Sequence, residues 1–312
     1  MLVAFSILYL GIRAYRGNDN LVGEGDRDNA VVMVASGLLN GNFVYSQSTQ
    51  LGNVITTGPT SGLISAPSVA LIGSNHLTSV ILFLVLIFAL YRKREQFMLA
   101  VSIAYMVFHN HFNWGYWEGG DEILYGWFFL IPAVFLVEKL LKDNQKPGAK
   151  KLIMIGVLFG LSVGCRISYA LPIGLIGMIL FFRKYFVESI TIGFVTLLSF
   201  VLVSLPYIYL GSPLEFWEWL NGIWLHRRSE MYIMIMIVVI LGLTFLQIKK
   251  NLPLSFFVVV TAMLGHFFAN MFFVRWQTYY YMFPLLFWLP EWITIYLRKL
   301  GDQGKVPKSI FT

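Results

Sequence analysis

The chain has 312 residues, of which 57% are hydrophobic and 12% charged, with a mean hydropathy of +0.70. Ordinary soluble chains carry about 25% charged residues, so composition argues against a water-soluble globular protein and for one with most of its mass in a bilayer. The formal charge of +7 falls in short clusters between apolar runs, where topology determinants sit, which argues against a nucleic-acid partner.

Ten apolar segments follow one another, at about 1–15, 62–91, 96–111, 123–141, 152–166, 168–182, 186–205, 231–248, 252–273 and 277–297. Their Leu/Ile/Phe-rich runs lack the period-two alternation of barrel strands. The expected fold is therefore all-α: a polytopic integral membrane protein of about ten transmembrane helices, forming one domain over residues 1–312. The first segment is short for a crossing, which implies either local thinning of the bilayer or a first helix that lacks a part. Arg13, near its end, and Arg16, just after it, come with no cleavage signature, which disfavours a signal peptide. The second segment, with Pro59, Pro67 and Gly73 near its start, reads as a short surface helix followed by a span at about 75–91. The single cysteine, Cys165, allows no internal disulfide and no cysteine-based metal site.

With both termini cytoplasmic, the connectors on the inner side hold 16 of the 23 Lys and Arg residues, a positive-inside pattern. Ten of the sixteen acids fall on the outer side, as do the long connectors 16–61, 112–122 and 206–230. Chemistry is therefore expected on the outer face.

The first outer loop contains "GEGDRDNA", residues 23–30, which packs Glu24, Asp26, Arg27 and Asp28 into eight positions. From Asp28 onward, Ala30, Val31, Val34, Ala35, Leu38 and Leu39 lie near one stripe at helical spacing, and Gly41 ends the run. This predicts an amphipathic helix at the membrane surface. Asp28 suits an N-cap or a first-turn acid, whereas Asp26, just after the glycines at 23 and 25, is expected in an open loop. The second outer loop, "HNHFNWGYWEGGDE", adds His109, His111, Glu118, Asp121 and Glu122. Residues two apart on a helix face different ways, so His-x-His is a weak metal signal. No metal or other cofactor is assigned, although the acids leave a divalent ion possible. Asp121, Glu122 and His111 are candidates for contacting substrate. Arg166, Arg227, Arg228 and Arg275 are outer-side guanidinium groups suited to phosphate oxygens.

In order along most of the chain, four stretches resemble the polytopic GT-C glycosyltransferases, which include protein mannosyltransferases and sugar transferases of the bacterial envelope. They are "GDRDNAVVMVASGLLNGNFVY", "LGNVITTGPTSGLISAP", "GGDEILYGWFFLIPAVFLVEKLL" and "GVLFGLSVGCRISYALPIGLIGMILFFRK"; the late "RWQTYYYMFPLLFWLP" is a looser match. The resemblance implies an enzyme of the bacterial plasma membrane. It would move a hexose or pentose from a polyprenyl-phosphate carrier to a hydroxyl of a glycan, lipid or protein acceptor on the extracytoplasmic face. The transfer it implies is inverting. It gives Asp28, with Asp26 beside it, the role of general base, and gives the outer arginines the departing phosphate. The chain departs from the pattern in being short, and its adjacent Asp-Glu pair is Asp121 and Glu122 rather than a pair in the first loop.

The main rival is a membrane transporter or lipid flippase, for which Pro132, Pro172 and Pro284 would interrupt spans. Charges at helix ends and the lack of an internal repeat favour the enzyme. A second rival is a non-catalytic assembly or scaffold protein.

Overall fold

A computed structural model describes residues 26–49, 54–75, 77–78, 81–82, 85, 122–143, 147–225, 230–250, 252–269, 288 and 292. The described residues are predominantly helical and contain no strand beyond one isolated bridge between Ser48 and Val54. The helices are α1 (Asp26–Asn40), α2 (Pro59–Ile72), α3 (Glu122–Asp143), α4 (Ala149–Cys165), α5 (Ala170–Phe182), α6 (Phe186–Leu210), α7 (Pro213–Leu225), α8 (Glu230–Lys250) and α9 (Leu254–Ala269), with a 3-10 turn at Ile167–Tyr169 before α5. The expected segments 1–15 and 96–111 lie outside the described residues, as does nearly all of 277–297, Pro284 included.

Among the described residues α6 alone is both long and apolar enough to cross a membrane. Only 11% of its most apolar window is buried in the protein, whereas the core helix of a soluble protein would be mostly buried. At about 1.5 Å per residue α6 reaches roughly 37 Å, while the 13 residues of α5 reach only about 20 Å.

Three expectations need correction. The third outer loop, 206–230, is largely helical: residues 206–210 continue α6, and α7 fills Pro213–Leu225. Pro132 lies inside α3 and Pro172 in the first turn of α5, so neither ends a helix. A proline in a first turn forfeits only an N–H that has no intrahelical partner. The stripe on α1 also meets protein: Ala30, Val31, Val34 and Ala35 are buried, whereas Leu39 is exposed. α2 covers that stripe, ending at Gly73, whose φ of 71° closes the helix in the left-handed region.

The bundle is organised around α4, which packs on α3 and along α6. Gly156, Gly160 and Gly164 recur every four residues on one face of α4. A Cβ at Gly156 would lie 2.6 Å from Val195, and one at Gly160 would lie 2.5 Å from the Ser199 Cβ and 2.6 Å from the Thr196 carbonyl. The helices are parallel and touch backbone to backbone, the close approach that small residues allow. α3 and α4 are antiparallel, with Ser162 Oγ donating to the Gly126 carbonyl at 3.0 Å. α5 and α6 form a hairpin in which Ser189 Oγ donates to Gly177 O, also at 3.0 Å. The largest core cluster joins α3, α4, α5 and α9 through Trp127, Phe159, Tyr169, Ile179 and Phe257.

One acid is built into this core. Glu138 is buried and accepts the Ser255 backbone N–H at 2.9 Å, satisfying a donor at the start of α9. Ser255 Oγ in turn accepts from Trp292 Nε1 at 3.0 Å. Glu138→Ala is expected to cost about 1–3 kcal/mol by leaving that N–H buried and unpaired. Glu138→Gln, which keeps an acceptor, should cost clearly less in thermal unfolding of the purified protein.

Candidate functional site

The antiparallel helices sort the charges by end. Lys139, Lys142, Lys150, Lys151, Arg183, Lys184, Lys249 and Lys250 lie at or near helix termini at one end of the bundle. α1, the start of α3, the end of α4 and α7 lie at the other. That second end carries Asp26, Asp28, Glu122, Arg166, Glu215 and Glu218.

Asp26 is the first residue of α1, not part of an open loop, and Asp28 falls in its first turn. Glu122 is the first residue of α3. Arg166 sits at the break after α4, half-buried, in extended backbone between Cys165 and the 3-10 turn. Asp121, His111, Arg227, Arg228 and Arg275 lie outside the described residues.

Residues close in sequence to three of these positions are clustered. Val31, Tyr125 and Cys165, all fully buried, share one small core cluster. Val31 lies one turn beyond Asp28, Tyr125 one turn beyond Glu122, and Cys165 directly precedes Arg166. The backbones at Asp28 and Glu122 therefore start about 4.5 Å along their helices from a common core. Further bonds hold the junction: Gly58 N–H donates to Cys165 O at 2.8 Å, and Asn75 Nδ2 donates to the Tyr125 hydroxyl at 3.3 Å. Gly58 and Gly164 are in such close contact that a Cβ on Gly58 would strike the Gly164 carbonyl, and one on Gly164 would strike Thr60 Oγ1.

A polar feature beneath this junction escapes a reading of the sequence. Thr57, Thr60, Ser61 and Ser65, at and around the start of α2, are fully buried, with hydroxyls that have no hydrogen-bond partner among the described residues. The run "TTGPTSGLIS" carries the signal, but hydroxyls at a helix start ordinarily read as caps, and nothing local reveals that they point inward.

Behind them is an aromatic cluster. Tyr45 stacks on Trp219 with ring centroids 4.0 Å apart and lies 5.5 Å from Tyr207. Trp219 Nε1 donates to Ile55 O at 2.8 Å, fastening α7 to the connector before α2. Burial first, and then the neighbouring Tyr207, push the Tyr45 pKa well above the ordinary tyrosine value. A raised folded-state pKa means that the unfolded chain releases this proton first. The Tyr45 contribution is thus intact below pH about 10 and is lost as pH rises above it. The Tyr45 hydroxyl has no hydrogen-bond partner among the described residues, so Tyr45→Phe is expected to leave neutral-pH stability unchanged or raise it slightly. It should also flatten the decline above pH 10, as read in melts across an alkaline series.

Among the described residues no group of three or more His, Cys, Asp or Glu residues is assembled to hold a metal. Comparison with protein families, curated proteins and solved structures found no match to the chain.

Proposed function

We propose that this chain is a polytopic membrane glycosyltransferase acting at the end of the bundle that carries Asp28, Glu122 and Arg166. The observation that carries the reading is the shared buried cluster of Val31, Tyr125 and Cys165, which joins three sequence-remote positions of suitable chemistry. The exposed apolar length of α6 supports membrane residence. The remaining apolar segments complete about ten spans, with the basic end cytoplasmic and the acidic end outside.

In this reaction the Asp28 carboxylate takes the proton of an acceptor hydroxyl as its oxygen bonds to the anomeric carbon of the donor sugar. The bond from that carbon to phosphate breaks, and its electron pair leaves with the polyprenyl phosphate. Arg166 stabilises the charge that develops on the phosphate oxygens. The neutral hydroxyls of α2 offer both donors and acceptors, a set suited to a polyol.

Membranes containing the protein, incubated with labelled polyprenyl-phosphate sugars, should transfer label to an acceptor. Transfer that survives alanine at both Asp26 and Asp28 would sink the general-base assignment. Movement of the lipid-linked sugar across the membrane without transfer, insensitive to those changes, would instead identify a transporter.

A further inference from the structure

At the opposite end, the α5–α6 hairpin has a feature that the transferase reading does not use. The turn "FFRKYF", residues 181–186, closes with the Tyr185 N–H on Leu180 O at 2.9 Å and the Lys184 N–H on Phe181 O at 3.0 Å. This bond pair puts the residue after the cap in the left-handed region, where glycine is usual. Here that residue is Lys184, at φ 69°, the one non-glycine residue with positive φ among the described residues. A lysine held there is strained, and strain retained at an exposed position points to a role for the side chain.

The surroundings name the chemistry. Arg183 Nη2 donates to Gln247 Oε1 at 3.3 Å, and Gln247, itself buried, donates to Leu252 O at 3.2 Å. These bonds bring the end of α8, with exposed Lys249 and Lys250, against the hairpin. Lys249 lies over the exposed Phe245 ring, 5.9 Å from its centroid. Below Lys184, Phe181, Phe182 and Phe186 are all exposed, the Phe181 and Phe186 rings 4.7 Å apart edge to face. Glu188 is the acid on the first turn of α6, and four bases outweigh it.

We infer that this hairpin is a binding site for an anionic phospholipid, its phosphate held by Lys184, Arg183 and Lys249 and its acyl chains lying on the phenylalanine platform. Charge selects the headgroup, and the apolar surface below selects a lipid over a soluble anion. The inference rests on the membrane reading but not on the transferase activity.

Native mass spectrometry of the full-length protein in detergent tests it, with phosphatidylglycerol against phosphatidylcholine of identical acyl chains. The wild type is expected to retain phosphatidylglycerol preferentially. Lys184→Gly relaxes the turn, so it should melt no lower than wild type while binding phosphatidylglycerol about fivefold more weakly, and adding Lys249→Gln should weaken it about fivefold again. Equal retention of the two lipids, or wild-type binding by Lys184→Gly, overturns the site. So does displacement of phosphatidylglycerol by equimolar glycerol phosphate, which would identify a soluble-anion site. Carbonate extraction separates the two premises: protein released from membranes refutes the membrane reading and this site with it, whereas retained protein without headgroup preference refutes the site alone.

Discussion

Gly160→Leu is expected to destabilise the protein by about 3 kcal/mol or more, because the side chain would have to enter a space already filled by α6 backbone. Even alanine there would place its Cβ 2.5 Å from the Ser199 Cβ and 2.6 Å from the Thr196 carbonyl, and backbone cannot rotate aside as a side-chain tip can. Intrinsic helix propensity predicts the opposite sign, since alanine is favoured over glycine by about 1 kcal/mol in a helix interior. The contrast supplies its own control. Gly174, Gly193 and Gly242 lie within α5, α6 and α8, with no described neighbour within 4 Å of where a Cβ would sit. Alanine at those three should be neutral or stabilising, while Gly160→Ala should lower the melting temperature. If all four alanine variants rise together, α4 and α6 are not packed as described.

On the proposed transferase reading, Asp28→Asn is expected to lower kcat for sugar transfer by roughly 10²–10⁴, the usual range for loss of a general base, with KM little changed. Asparagine keeps the size and can still accept a hydrogen bond, so the first turn of α1 should persist. A purely structural first-turn acid predicts a different outcome: about 0.3–1 kcal/mol of stability lost and transfer intact. Asp26→Asn, at the first residue of α1, should fall well short of the Asp28 effect. Measuring kcat, KM and melting temperature for both variants on one membrane preparation separates these cases. Equal loss of activity at the two positions would remove the distinction between them.

Helix positions were largely legible in the sequence because they depend on local periodicity and punctuation. The segment expected at 123–141 forms Glu122–Asp143, that at 231–248 forms Glu230–Lys250, and the run from Asp28 to Gly41 forms Asp26–Asn40. Less legible was α7: "PLEFWEWLNGIWL" sits between longer apolar runs, and its helix is defined by Phe216 and Trp219 packing on Tyr45 rather than by length. Pro172 misled because a first-turn proline breaks no intrahelical bond, whereas Pro132 is carried within α3. For the site, residue types were readable: acids at helix starts, an arginine at a helix break.

The contact between the helices that carry them was not, because it depends on which helix faces touch. Val31, Tyr125 and Cys165 are separated by 94 and 40 positions, and no local pattern joins them. The α4 glycines look like weak points in a helix until α6 is laid against them. Even the run "GEGDRDNA", plain in the sequence as a charged stretch, is placed at one end of the bundle only because α1 is packed by burying Val31 and Val34. Sequence reports what each segment prefers on its own, through backbone propensity and hydropathy. The tertiary structure chooses among the faces so offered, because burial and close packing act only between segments.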